Sequence, residues 1–148
     1  EIGPRALGNR SLLINPLITD GKNTINKVKK REAYRPFGAS ILKEYVKDYF
    51  NTDIENPFML YVGNVNRDNL QSVTHIDKTC RFQGVDKTNK IYYQLINEFF
   101  KKTGCPLILN TSLNINGKPI MSSTKDAIDY FINSDIDILV IGNKIFKK

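Results

Sequence analysis

Leu107-Ile108-Leu109-Asn110-Thr111-Ser112-Leu113-Asn114 changes character at its middle, where three aliphatic residues pass directly into a run of amide and hydroxyl side chains. Pro106 restarts the backbone just before it, so the spacing predicts a buried strand over Leu107 to Leu109 with a polar end. Asn, Ser and Thr also satisfy local backbone groups in turns. The residues alone therefore leave two readings open: a strand end, or one wall of a ligand crevice at the end of a buried α/β strand.

Upstream lies the clearest helix, Asn89 to Lys102. Ile91, Leu95 and Phe99 recur every four residues with Tyr92, Ile96 and Phe100 beside them, and Gly104 closes the element. Downstream, Lys118 to Met121 reads as a short strand, Ser123 caps a helix carrying Ala127, Ile128, Phe131 and Ile132, and Ile136 to Ile141 reads as a closing strand. Nearer the start, Ser11 to Asn15 reads as a strand and Asp20 to Tyr34 as a helix. Pro36 then forces an extended run through Leu42, and a short amphipathic helix spans Glu44 to Phe50. Phe58 to Val65, Val73 to Ile76 and Arg81 to Val85 are rich in aromatic and β-branched residues and read as three strands, with Asn51 to Asn56 as a loop. Interleaved strands and helices give an α/β (α+β) class, a mixed β-sheet flanked by helices.

With 148 residues and 41% hydrophobic content, the chain is long enough for one domain with a real core. Charged or amide residues interrupt every apolar run before the roughly 18 residues a bilayer crossing needs, so no transmembrane segment is expected and the membrane is not an expected partner. Two cysteines, Cys80 and Cys105, and one histidine make neither a disulfide framework nor a metal cluster. A cytoplasmic, metal-free domain is expected. The net charge of +7 favours an anionic partner: a phosphorylated metabolite, a nucleotide, nucleic acid or an acidic lipid surface. The opening Glu1-Ile2-Gly3-Pro4 suggests a piece of a longer polypeptide.

The phosphate-loop and dinucleotide glycine motifs and the HExxH helix are missing. A phosphate site would have to use scattered cations. They gather at Arg5 and Arg10, at Lys29, Lys30, Arg31 and Arg35, and at Arg81. Arginine's planar fork suits phosphoryl oxygens, although cations at a helix C-terminus also complement its dipole, by about 0.3 to 1 kcal/mol each. His75, on one face with Val73 and Asp77 in its expected strand, reads either as a structural residue or as a contact to a ribose or base.

Taken in order, several segments resemble one family. Gly3-Pro4-Arg5-Ala6-Leu7-Gly8-Asn9-Arg10-Ser11, Val28-Lys29-Lys30-Arg31-Glu32, Arg35-Pro36-Phe37, Val73-Thr74-His75-Ile76-Asp77, Thr103-Gly104-Cys105-Pro106 and Leu109 to Asn114 are similar to the C-terminal domain of the NodU and TobZ carbamoyltransferases. The resemblance implies a YrdC-like fold, a twisted mixed sheet around a basic concave groove. It also implies formation of carbamoyl adenylate from carbamoyl phosphate and ATP, with Mg2+ arriving on the nucleotide, and transfer to an acceptor hydroxyl by an actin-like N-terminal domain joined through residues 1–11.

The family's phosphate- and carbamate-holding tetrad corresponds here to Lys29, Arg31, Ser112 and Asn114. Arg5, Arg35, Thr74, His75, Asp77 and Arg81 fall in motifs expected to contact ATP, and Asn110 and Thr111 would lie beside the reacting group. The chain departs from the family pattern at Gly38-Ala39, where Ala-Pro is usual, and at Leu113, where an aromatic is usual. A second class of function, a nucleotide- or RNA-binding module without turnover, also suits the charge and ranks behind the enzyme reading.

Overall fold

The middle strand of the sheet is Gly38–Leu42 (β2), all five residues of which are buried. In the computed structural model, which describes residues 8–148, β2 pairs in parallel with Thr79–Val85 (β4) and antiparallel with Leu107–Ser112 (β5). Ser11–Ile14 (β1) lies outside β5 and Val62–Asn64 (β3) outside β4, both antiparallel, giving the order β1-β5-β2-β4-β3. The class is the expected one, a mixed sheet with helices on both faces.

Strand alternation assigns the faces. Ala39, Ile41, Phe82, Leu107 and Leu109 pack with Ile25 and Val28 of Gly21–Val28 (α1), Phe50 of Val46–Phe50 (α2) and Tyr130 of Thr124–Ile132 (α4). Leu42, Val85 and Ile108 pack on the opposite face against Tyr92 and Ile96 of Lys90–Thr103 (α3). Asn89 caps α3 by accepting from the Tyr92 N–H, and Gly104 closes it in the left-handed region at φ 72°. The buried line of α3 is the flank of the expected stripe: Ile91 stays 83% exposed while Ile96 is sealed.

Several expected elements are corrected. The helix starting near Asp20 stops at Val28 instead of Tyr34, because Lys30 turns left-handed at φ 52°. The strand expected over Phe58 to Val65 shrinks to β3, Met59 breaking its first half at φ 58°. Val73 to Ile76 is a turn: the Val73 and Thr74 amides both donate to the Leu70 carbonyl, and the His75 amide donates to the Thr79 carbonyl at 2.7 Å. Lys118 to Met121 is no strand either; Gly117 is left-handed, the Lys118 amide closes a turn on the Ile115 carbonyl, and Pro119 has no donor. The strand at Leu107 runs three residues further than expected, to Ser112. The closing strand spans Ile138–Ile141 (β6) and pairs with an unforeseen Lys144–Lys147 (β7) in a separate two-stranded sheet.

Candidate functional site

The site forms where the carboxyl end of β5 meets the segment after α1. Register brings Ser112 opposite Ser11, and Asn110 between Leu13 and Gly38. Alternation points Asn110 and Ser112 to one face and Thr111 to the other. Asn110 turns inward, 5% exposed, donating through Nδ2 to Ser40 Oγ at 3.0 Å. Ser112 Oγ donates to Asn114 Oδ1 at 2.5 Å, and Asn114 Nδ2 donates to the carbonyls of Ile115 at 3.0 Å and Lys118 at 2.8 Å.

Helix α1 ends in a Schellman closure with lysine, not glycine, in the left-handed position. The Lys30 amide donates to the Lys27 carbonyl at 3.0 Å and the Arg31 amide to the Asn26 carbonyl at 3.0 Å. That closure turns Lys29 inward, to 2% exposure. Lys29 Nζ donates to the Ser112 carbonyl at 2.5 Å, the Asn114 carbonyl at 3.0 Å and Asn114 Oδ1 at 2.9 Å. Three acceptors match the three donors of an ammonium group. Burial, and then the nearby Arg31 and Arg35, push the Lys29 pKa down from 10.5 to about 8, which leaves the group charged at neutral pH.

The second half of the site is more open. Arg31 lays its guanidinium over the Phe37 ring at 4.1 Å, donates through Nε to Asn26 Oδ1 at 2.5 Å and through Nη2 to the Pro36 carbonyl at 3.1 Å. Burial, and then Arg35, lower its pKa, with Arg81 adding in the same direction. Arg35 and Arg81 are thus each near enough to repel Arg31. Arg35 reaches Asn116 Oδ1 at 3.3 Å and Glu32 at 3.6 Å. Arg81 sits between Gly38 and Val62 in the sheet, exposed, its guanidinium without a hydrogen bond or ion pair among the described residues.

The expected ATP contacts Thr74, His75 and Asp77 occupy the turn already described. Thr74 Oγ1 donates to the Leu70 carbonyl, and Asp77 Oδ1 accepts from the amide and hydroxyl of Thr79. His75 Nε2 bonds the Phe37 carbonyl at 3.1 Å, pinning the turn beside the ring that carries Arg31. Arg5 lies outside the described residues.

Lys29, Ser112 and Asn114 are therefore in direct contact, with Arg31, Arg35 and Arg81 alongside. Sequence reasoning missed Asn26 and Asn116. The sequence signal for Asn26 was a poor helix former in the last turn of an amphipathic helix. Of two hollows, one of about 450 Å3 borders the site beside Lys30, Ile115 and Lys118, and one of about 420 Å3 lies at the far end of the sheet beside Lys43 and Asp86. Neither is lined by a tetrad side chain. Among the described residues no helix is long and apolar enough to cross a membrane.

The carbamoyltransferase C-terminus family model matches residues 1–148. The chain belongs to this family. Over its whole length it is 46% identical to the nodulation protein NolNO of Sinorhizobium fredii and 45% identical to NolO of Bradyrhizobium diazoefficiens. It is 36% identical, again over its whole length, to the 3'-hydroxymethylcephem-O-carbamoyltransferase of Amycolatopsis lactamdurans. The chain spans 23%, 28% and 29% of these three relatives, and so corresponds to less than a third of each.

Proposed function

We propose that this domain binds ATP and carbamoyl phosphate and forms carbamoyl adenylate, which the remainder of a longer carbamoyltransferase passes to an acceptor hydroxyl. The observation that carries the reading is the closed contact of Lys29 with Ser112 and Asn114 beside three clustered arginines.

In this scheme carbamoyl phosphate and water give carbamate and inorganic phosphate. A carbamate oxygen then bonds to the α-phosphorus of ATP as the bond to the β-phosphate oxygen breaks, releasing pyrophosphate. Negative charge grows on the phosphoryl oxygens, so fixed cations and positioning supply the catalysis and no protein nucleophile is needed. Arg31, Arg35 and Arg81 hold the phosphates. Ser112 and Asn114 orient the carbamoyl group, which needs both donors and acceptors. Lys29 keeps that pair in place and supplies positive charge from behind. Magnesium travels with the triphosphate, bound by one or two ligands and water more than by a protein cage.

The test is release of pyrophosphate from ATP in the presence of carbamoyl phosphate. It is expected in the wild type and lost in Lys29→Ala and Ser112→Ala; turnover that survives both changes would defeat the assignment. If the domain were instead an RNA-binding module, raising salt would strip RNA while millimolar ATP left it in place.

A further inference from the structure

The residue that holds Arg31 and the backbone at Arg35 in place is Asn26, which no motif or expected site residue includes. Its amide lies in the last turn of α1 and is 1% exposed. A buried amide is costly unless each polar atom is paired. All of them are. Oδ1 accepts from Arg31 Nε at 2.5 Å, and Nδ2 donates to the carbonyls of Ala33 at 3.2 Å and Arg35 at 3.1 Å. The Asn26 carbonyl also accepts the Arg31 amide. One short side chain therefore fixes the Arg31 head group and the path of the chain through Arg35.

The effect on Arg31 follows from donor arithmetic. A guanidinium has five N–H groups in a rigid fork. Nε is held by Asn26, one Nη2 hydrogen by the Pro36 carbonyl, and one face by the Phe37 ring. The other three N–H groups have no acceptor among the described residues. We infer that Asn26 is a positioning residue that locks Arg31 and the Arg35 segment so that those N–H groups are presented to an anionic phosphoryl group. Asparagine suits the task because it combines one acceptor with two donors. Aspartate would keep the Arg31 contact and set an acceptor against two carbonyls, and alanine would lose all three bonds.

The inference rests on the nucleotide site proposed above, and its test separates the two. In 15N-labelled protein the Arg31 Nε–H, bonded to a buried oxygen, should give a slowly exchanging signal, assigned by its loss in Arg31→Lys. Asn26→Ala should erase that signal and weaken MgATP binding by about tenfold to a hundredfold, the range for a bond to a charged group. In an Arg31→Ala background the same change should cost little more, since both act through one guanidinium. Persistence of the signal in Asn26→Ala, or losses that simply multiply, would overturn the inference. If Asn26→Ala does not fold, Asn26→Asp decides: the Arg31 signal should survive there, and its loss counts against the role. A wild type that binds no MgATP defeats the nucleotide reading, while the Arg31 signal still rules on Asn26.

Discussion

Lys29 and Arg31 stand two residues apart in one basic run, yet they sit in opposite halves of the site. Lys29 is sealed and its three protons all go to Ser112 and Asn114. Arg31 is braced on one edge and one face, with three donors left over. A compact ammonium suits a buried corner with three converging acceptors, and a planar fork suits bidentate recognition of phosphoryl oxygens. One half of the site therefore couples binding to the stability of the fold. The other half is separable from it.

The sharpest way to break this contrast is Lys29→Met, which keeps the stem and removes the charge. The Ser112 and Asn114 oxygens then lose their donor, and a loss of about 1 to 3 kcal/mol in unfolding free energy is expected, together with loss of adenylate formation. Denaturant midpoints and pyrophosphate release check the two arms. Unchanged stability would mean that the ammonium is no brace, and would move Lys29 into the open half.

The chain's own pattern had disclosed part of this arrangement. The α3 helix was readable because its apolar period and terminal glycine act locally. Lys29, Arg31, Ser112 and Asn114 were all placed by the resemblance, since the residues alone left the run from Asn110 to Asn114 open between a strand end and a crevice wall. What the sequence could not reveal was decided by distant partners. Val73 to Ile76 carries strand-like side chains but pairs in no ladder among the described residues, and its amides close on Leu70 and Thr79. The internal use of all three Lys29 protons depends on residues more than eighty positions away. Asn26 acts through carbonyls, which no side-chain pattern records.

A smaller effect comes from pH. Because folding lowers the Lys29 pKa from 10.5 to about 8, the unfolded chain holds that proton more tightly between these values. The folded state pays its full penalty below about pH 8, and stability should rise as pH climbs from about 8 toward 10.5. Affinity for a phosphate anion should change in the other direction, weakening as the charge is lost above about pH 8. Lys29→Met should remove the Lys29 contribution to both slopes. Stability that falls across this window only in the wild type would contradict the sign.

The least perturbing change tests the open half alone. Arg81 is exposed within β4, between Gly38 and Val62, and no described residue accepts from its guanidinium. Its truncation to alanine breaks no bond within the fold, so stability should stay within about 0.5 kcal/mol of the wild type. Nucleotide affinity should nonetheless fall, by about 1.5 to 3 kcal/mol if Arg81 makes a charge-assisted contact to a phosphate. Calorimetric titration with MgATP beside a thermal melt reads both. A stability loss as large as that of Lys29→Met would erase the distinction between the two halves. Unchanged affinity would leave Arg31 and Arg35 as the phosphate-facing members of the cluster among the described residues, because Lys29 has no proton left to offer.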